Sequence, residues 1–148
     1  MTTTVNDVLD RNITALNARD IDAYLANQQP DVELVLPGGV TLHGRDQAGE
    51  YTEALWKAFP DGTLSFGDQV FADGAAATEV VFEGTHTGPM LTPNGPIPPT
   101  GRRVTLRSAS ILRIEDGLVA SEHVSLDPLE MMTQLGLMPD AQSPARDG

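Results

Sequence analysis

Gly84-Thr85-His86-Thr87-Gly88, then Ile97-Pro98-Pro99-Thr100-Gly101-Arg102-Arg103-Val104, then Ile111-Leu112-Arg113-Ile114-Glu115-Asp116-Gly117 is the stretch whose reading decides the fold. It predicts two long strands, about 76–87 and 102–115, joined by a loop that holds five prolines between Gly88 and Gly101. Glu115-Asp116-Gly117 is a hairpin signal, because glycine after an acidic residue takes the left-handed conformation that tight turns require. A further strand over about 118–126 follows from it.

Working outward, Asp73-Gly74 turns an earlier strand, 63–72, into the first of the long ones. Towards the N-terminus, Val5, Val8, Leu9, Ile13 and Leu16 recur at three- and four-residue steps, which predicts an amphipathic helix over 4–18. Asp20 can cap a second short helix through Leu25, which Pro30 is expected to end. Val32, Leu34 and Leu36 form a half-buried strand, turned by Pro37-Gly38-Gly39 into a short partner, Val40–His43. Ala48, Tyr51, Leu55 and Phe59 return to helical spacing from about Asp46, and Pro60-Asp61-Gly62 closes that helix. Leu129, Met132 and Leu135 mark a short terminal helix, with 142–148 read as a disordered tail. Helices, a hairpin, a helix and a long meander predict an α+β architecture, with helices packed on one face of a curved sheet that half-encloses a cavity.

Composition narrows the function classes. The 148 residues suit one domain, 1–140, with 141–148 as the tail. No apolar stretch approaches a membrane span, and Met1-Thr-Thr-Thr-Val-Asn-Asp lacks the order of a signal peptide, so a cytoplasmic location is expected. Zero cysteines exclude disulfides and thiolate chemistry, and three scattered histidines lack metal-ligand spacing, so no metal is expected. A net charge of −12, with one lysine against eight scattered arginines, argues against nucleic acid as a partner.

The quoted stretch, together with Asn17-Ala18-Arg19-Asp20, Phe59-Pro60-Asp61 and Asp127-Pro128-Leu129, resembles the SnoaL-like polyketide cyclases. The resemblance implies the cone-shaped nuclear transport factor 2-like fold: a curved, mostly antiparallel sheet with helices on its concave side around a pocket. It also implies a hydrophobic small-molecule substrate, no cofactor, and a homodimer paired through the sheets. Its best-known reaction closes a polyketide ring by aldol addition, with an aspartate taking and returning the proton. Laid without gaps on Ser121-Glu122-His123-Val124-Ser125-Leu126-Asp127, the family's closing strand places that aspartate at Val124 and a histidine at Glu122. Shifted by one residue, it places the aspartate at Ser125. A second polar catalytic position falls on Ser110.

Valine and serine cannot act as the base an aldol addition needs, so any catalysis takes another route. Side chains alternate along a strand, so one of Glu122 and His123 points inward, and both stand as catalytic candidates with Ser110 as a hydrogen-bond donor. An inward Glu122 would be desolvated towards a useful pKa, whereas an imidazole titrates near neutrality without tuning. Candidate substrate contacts are Trp56 and Tyr51 on the third helix, Val124, Met90 in the proline-rich loop, and His86, which can instead bond the loop backbone. Glu79 could be held in the pocket by Arg107 or Arg113, or stand at a solvated edge. The function these residues suggest is a cofactor-independent cyclase or isomerase guided mainly by pocket shape. A non-catalytic binding or oxygenase-accessory protein is the alternative.

Overall fold

The computed structural model describes residues 4–92 and 94–138. Helix α1, Val5–Ala18, begins at a capping box in which Thr4 and Asp7 satisfy each other's backbone N–H groups. It buries Val8, Leu9, Asn12 and Ala15. Helix α2, Ile21–Ala26, is capped by Asp20, whose carboxylate accepts from the Ala23 N–H at 3.0 Å. Strands β1, Gln28–Leu36, and β2, Val40–His43, form the first hairpin, followed by helix α3, Gly44–Ala58. Strands β3, Thr63–Ala72, β4, Ala75–Thr85, β7, Arg103–Glu115, and β8, Leu118–Ser125, make the meander. Between β4 and β7 lies a small hairpin, β5, Met90–Thr92, with β6, Gly95–Ile97, and helix α4, Pro128–Gln134, comes last.

Three expectations need correction. The second helix stops at Ala26, and Pro30 lies inside β1, where the pairing with β8 is irregular between Gln28 and Glu33. Helix α3 starts two residues earlier than Asp46, at Gly44. The proline-rich loop contains a hairpin, in which Thr92 bonds the Gly95 carbonyl at 2.6 Å. The tail expected at 142–148 lies outside the described residues.

The six-stranded sheet runs β2-β1-β8-β7-β4-β3, antiparallel throughout except for β1 with β8. Its curvature has an identifiable source in irregular register at Phe66/Gln69, Gln28/Glu33 and Arg113/Ile114. One face is packed: Val32, Leu34, Leu36, Ala76, Leu112 and Val119 meet Val8 and Leu9 of α1 and Ala48 of α3. A second cluster, with Ala58, Phe59, Met90, Val104, Leu106 and Leu135, closes one end of the cone.

The short motifs turn out to be fasteners. Asn17 bonds both backbone groups of Leu64, at 2.9 and 2.8 Å, so its amide acts as a partner for the exposed edge of β3. Arg19, left-handed at φ 57, donates to the Phe59, Pro60 and Gly62 carbonyls and tethers the α3–β3 turn. Asp61 accepts from the Thr85 backbone and hydroxyl, which holds its carboxyl below the usual range. Gly88 lies so close to the end of α3 that a Cβ would collide with the Lys57 carbonyl.

Candidate functional site

Strand β8 lies in the middle of the sheet, and its alternation sends Glu122 and His123 to opposite faces. Glu122 pairs in register with Leu34 of β1 and Leu112 of β7, both buried in the inner core. Enclosure by apolar neighbours raises its pKa above the ordinary 4.5, and a hydrogen bond from Ser110 pulls the other way. Ser110, only 3 % exposed, is the register partner of Val124, so the two share the inner face beside Glu122. The chain has two tyrosines, and both feel the charge of Glu122. Tyr24 comes from α2 and is buried; desolvation first and the charge of Glu122 second raise its hydroxyl above the ordinary 10. Tyr51, one residue before Thr52, is pushed up to about 12 by desolvation first and Glu122 second.

Tyr51 nevertheless retains 39 % of its surface. The inner site is a mostly apolar wall with one carboxyl, one serine and two phenols. Chemically it can donate hydrogen bonds to an oxygen acceptor and, through Glu122, exchange a proton.

His123 faces outward, paired with Ile111 and Val35. It lines an open recess of about 490 Å³ on the outer face, with Val70, Ala77, Glu79, Ile111 and Ser125. Glu79 and Arg107 are on that face too, 3.5 Å apart, with Glu79 also accepting from the Asp68 N–H. They form a pair at the β3 bulge, away from Glu122. A second recess, about 580 Å³, lies between α1, α2 and Leu118 and likewise excludes the Glu122 group.

His86 is fully buried, and its Nδ1 accepts from the Thr100 N–H at 3.2 Å with the Thr100 hydroxyl 3.0 Å away. Burial lowers its pKa while the Gly88 carbonyl opposes that shift, so a neutral ring fastens the proline-rich loop. Met90, 8 % exposed, packs into the end cluster with Phe59 and Leu106. Trp56 carries the Arg19 guanidinium 5.6 Å from its ring centroid and sits roughly 140° around α3 from Tyr51. Of the sequence candidates, the fold thus assembles Glu122, Ser110, Tyr51 and Val124 and separates His123, Glu79, Arg107, His86, Met90 and Trp56 from them. Sequence reasoning missed Tyr24 and Thr52, whose only signal was their place on short helical stretches. Among the described residues, no His, Asp and Glu group could hold a metal ion.

The family model described as SnoaL-like polyketide cyclase matches residues 6–135. A candidate SnoaL-like polyketide cyclase from Jannaschia sp. CCS1 superposes with a TM-score of 0.81 at 19% identity, covering 94% of this chain and 97% of that one. IdmH of Streptomyces antibioticus, a candidate polyketide cyclase, gives 0.74 at 26% identity, over 88% and 97%. AclR, a candidate hydroxylase from Streptomyces galilaeus, gives 0.76 at 22% identity, over 91% and 86%. Comparison with curated proteins gives no match.

Proposed function

The chain belongs to the SnoaL-like polyketide cyclase family, and from that premise we propose that it guides ring closure or isomerisation of a polyketide-derived molecule held against Glu122. The observation that carries this reading is the inner carboxyl itself. It sits mid-sheet on the packed face beside Ser110, and the pKa shifts of Tyr51 and Tyr24, from two different helices, both respond to its charge. Val124 and Ser110, the positions matching the family's usual acid–base pair, lie side by side on the same face, which supports the gap-free alignment of the closing strand. With an apolar group at Val124, most of the rate comes from holding a flexible chain in a reactive conformer, and Glu122 polarises or protonates one carbonyl. No cofactor takes part in this reading.

A synthetic linear poly-β-ketone, followed by chromatography and mass spectrometry, tests it. The protein is expected to accelerate closure and to favour one ring over the mixture formed in buffer. E122Q should lower the rate by roughly 10²–10⁴, while H123Q leaves it within about twofold. A product distribution equal to that in buffer, for chains that demonstrably bind, overturns the enzyme reading. It would favour a second one, a non-catalytic binding or oxygenase-accessory protein, which the valine at position 124 already supports.

The outer face supports a homodimer. Val70 and Ile111 are 69% and 53% exposed beside the Glu79–Arg107 pair, an apolar patch with both charges that two copies can share across a two-fold axis. Sedimentation of the wild type and I111E checks this pairing. A concentration-dependent dimer lost in the variant is the expected outcome.

A further inference from the structure

A bulge in β3 turns one side chain onto the inner face. Phe66 pairs with Val80 and Gln69 with Thr78, so three steps along β3 answer two along β4. Asp68 and Val70 line the outer recess, and alternation sends Gln69, which lies between them, to the inner face. The bulge is fastened from the outer side. Glu79 Oε1 accepts from the Asp68 N–H at 3.2 Å and lies 3.5 Å from Arg107. Gly67 leaves room for that carboxylate, because a Cβ there would sit 3.0 Å from it. With a regular ladder in place of the bulge, Gln69 would face out.

On the inner face Gln69 heads a row that crosses the sheet: Gln69 pairs with Thr78, Thr78 with Ser110, and Ser110 with Val124. Along β4 and β7 this row lies between the Ala76–Leu112 pair of one apolar cluster and the Phe82–Leu106 pair of the other. Gln69, Val80, Ser108 and Val124 are only half-buried, whereas Ala76 and Leu112 on one side and Val104 and Leu106 on the other are closed. The middle of the face is thus less tightly covered than its ends. The Thr78 hydroxyl commits its proton to the Glu79 carbonyl at 3.1 Å. Gln69 differs, because its Nε2 is buried and has no hydrogen-bond partner among the described residues. An amide donor left in that state costs free energy, and an acceptor supplied from outside the protein recovers it.

Rotation about the last side-chain torsion, which is broad for glutamine, brings Nε2 to the side on which the residue is open. Resting on the reading that the bound molecule lies against Glu122, the strand order then limits its length. Strands β8 and β3 are three interstrand steps apart, at most about 14 Å, the span of an extended chain of roughly ten carbons. We propose that Gln69 is a substrate-positioning residue, donating its amide N–H to a carbonyl oxygen at the end of the molecule remote from Glu122, so that the protein selects a long poly-β-ketone over a short one. Thr78 and Ser110 stand in the row between.

Equilibrium dialysis of the full-length protein against heptane-2,4,6-trione and against a linear poly-β-ketone about twice as long tests this, with the bound material identified by mass spectrometry. Q69M keeps the length of the side chain and removes the amide. It should weaken binding of the long chain by about tenfold and leave that of the trione within about twofold. Because the lost donor has no partner in the protein, Q69M should melt no lower than the wild type. Equal losses for both chain lengths, or none for the long one, would overturn the role of Gln69 and leave the Glu122 reading standing. A lower melting temperature with unchanged selectivity would make Gln69 structural and overturn the proposal as well. A selective loss in Q69M, without acceleration of closure by the wild type, would sustain the contact and overturn the enzyme reading above. Absence of long-chain binding by the wild type up to the solubility of the probe would overturn both.

Discussion

The inner and outer faces of the six-stranded sheet hold similar side chains to different ends. On the inner face Glu122 has a serine and two phenols around it, and burial raises its pKa above the ordinary value. On the outer face Glu79 lies 3.5 Å from Arg107, with both side chains substantially exposed. One peptide unit separates Glu122 from His123, yet the first lies on the packed inner face and the second lines an open recess on the outer one. The difference teaches that in a sheet the side-chain type proposes a chemistry and the face decides whether it can be used. Desolvation is available on one side only.

The comparison can be broken most severely through the residues that pair with those two. Leu112, opposite Glu122, is 3% exposed, and Leu112→Ala should cost about 2–5 kcal/mol through lost burial and the cavity left behind. Ile111, opposite His123, is 53% exposed, and Ile111→Ala should cost under about 1 kcal/mol. Urea unfolding of the two variants measures the contrast. Similar losses would mean that the outer face is as covered as the inner one in solution.

A smaller effect sharpens the comparison from the side of charge. The unfolded chain releases the Glu122 proton near its ordinary pKa of 4.5, whereas the folded chain retains it to a higher pH. Above about pH 4.5 the folded state therefore binds more protons than the unfolded one, and this group makes stability fall as pH rises through the folded pKa. E122Q has no such proton. It should match the wild type near pH 4 and exceed it increasingly as pH rises towards 8. Thermal melts across that range check the prediction, and an offset between the proteins that does not change with pH would sink it. A gain in stability with a loss of turnover is the expected pattern for a group kept for chemistry.

Much of this arrangement is legible in the sequence, and the limit of legibility is physical. The helices at Val5–Ala18 and Ile21–Ala26 and the Asp116-Gly117 turn follow from local spacing and capping, since the forces that set them act within a few residues. Alternation along β8 is legible too, and it states that Glu122 and His123 oppose each other. It cannot state which is inner, because that depends on where α1, α2 and α3 dock, a long-range result of packing Val8, Leu9 and Ala48 against one face. Tyr24 and Thr52 were hidden for the same reason: they meet across two helices that sequence spacing does not relate. The β5–β6 hairpin was obscured by prolines, which remove backbone donors and so erase the usual strand signal. Asn17, Arg19 and Asp61 were visible as short motifs, and only the partners they grip reveal them as structural fasteners.

The smallest effect is also the most selective. Glu79 Oε1 serves Arg107 and the Asp68 N–H together, and Gly67 beside them leaves room for both, since a Cβ there would sit 3.0 Å from that oxygen. In an isolated copy this is an exposed ion pair at a bulge, so Glu79→Gln should change stability by less than about 1 kcal/mol, and less again at high salt. If two copies pair through this face, the same side chains are drawn out of water. The loss should then grow with protein concentration, because it acts on association as well as on folding. Melting E79Q and the wild type at two protein concentrations a hundredfold apart separates these cases. A concentration-independent difference would confine Glu79 to the bulge and remove it from any interface. A widening one would show that the outer face, like the inner, is dry when the protein is assembled.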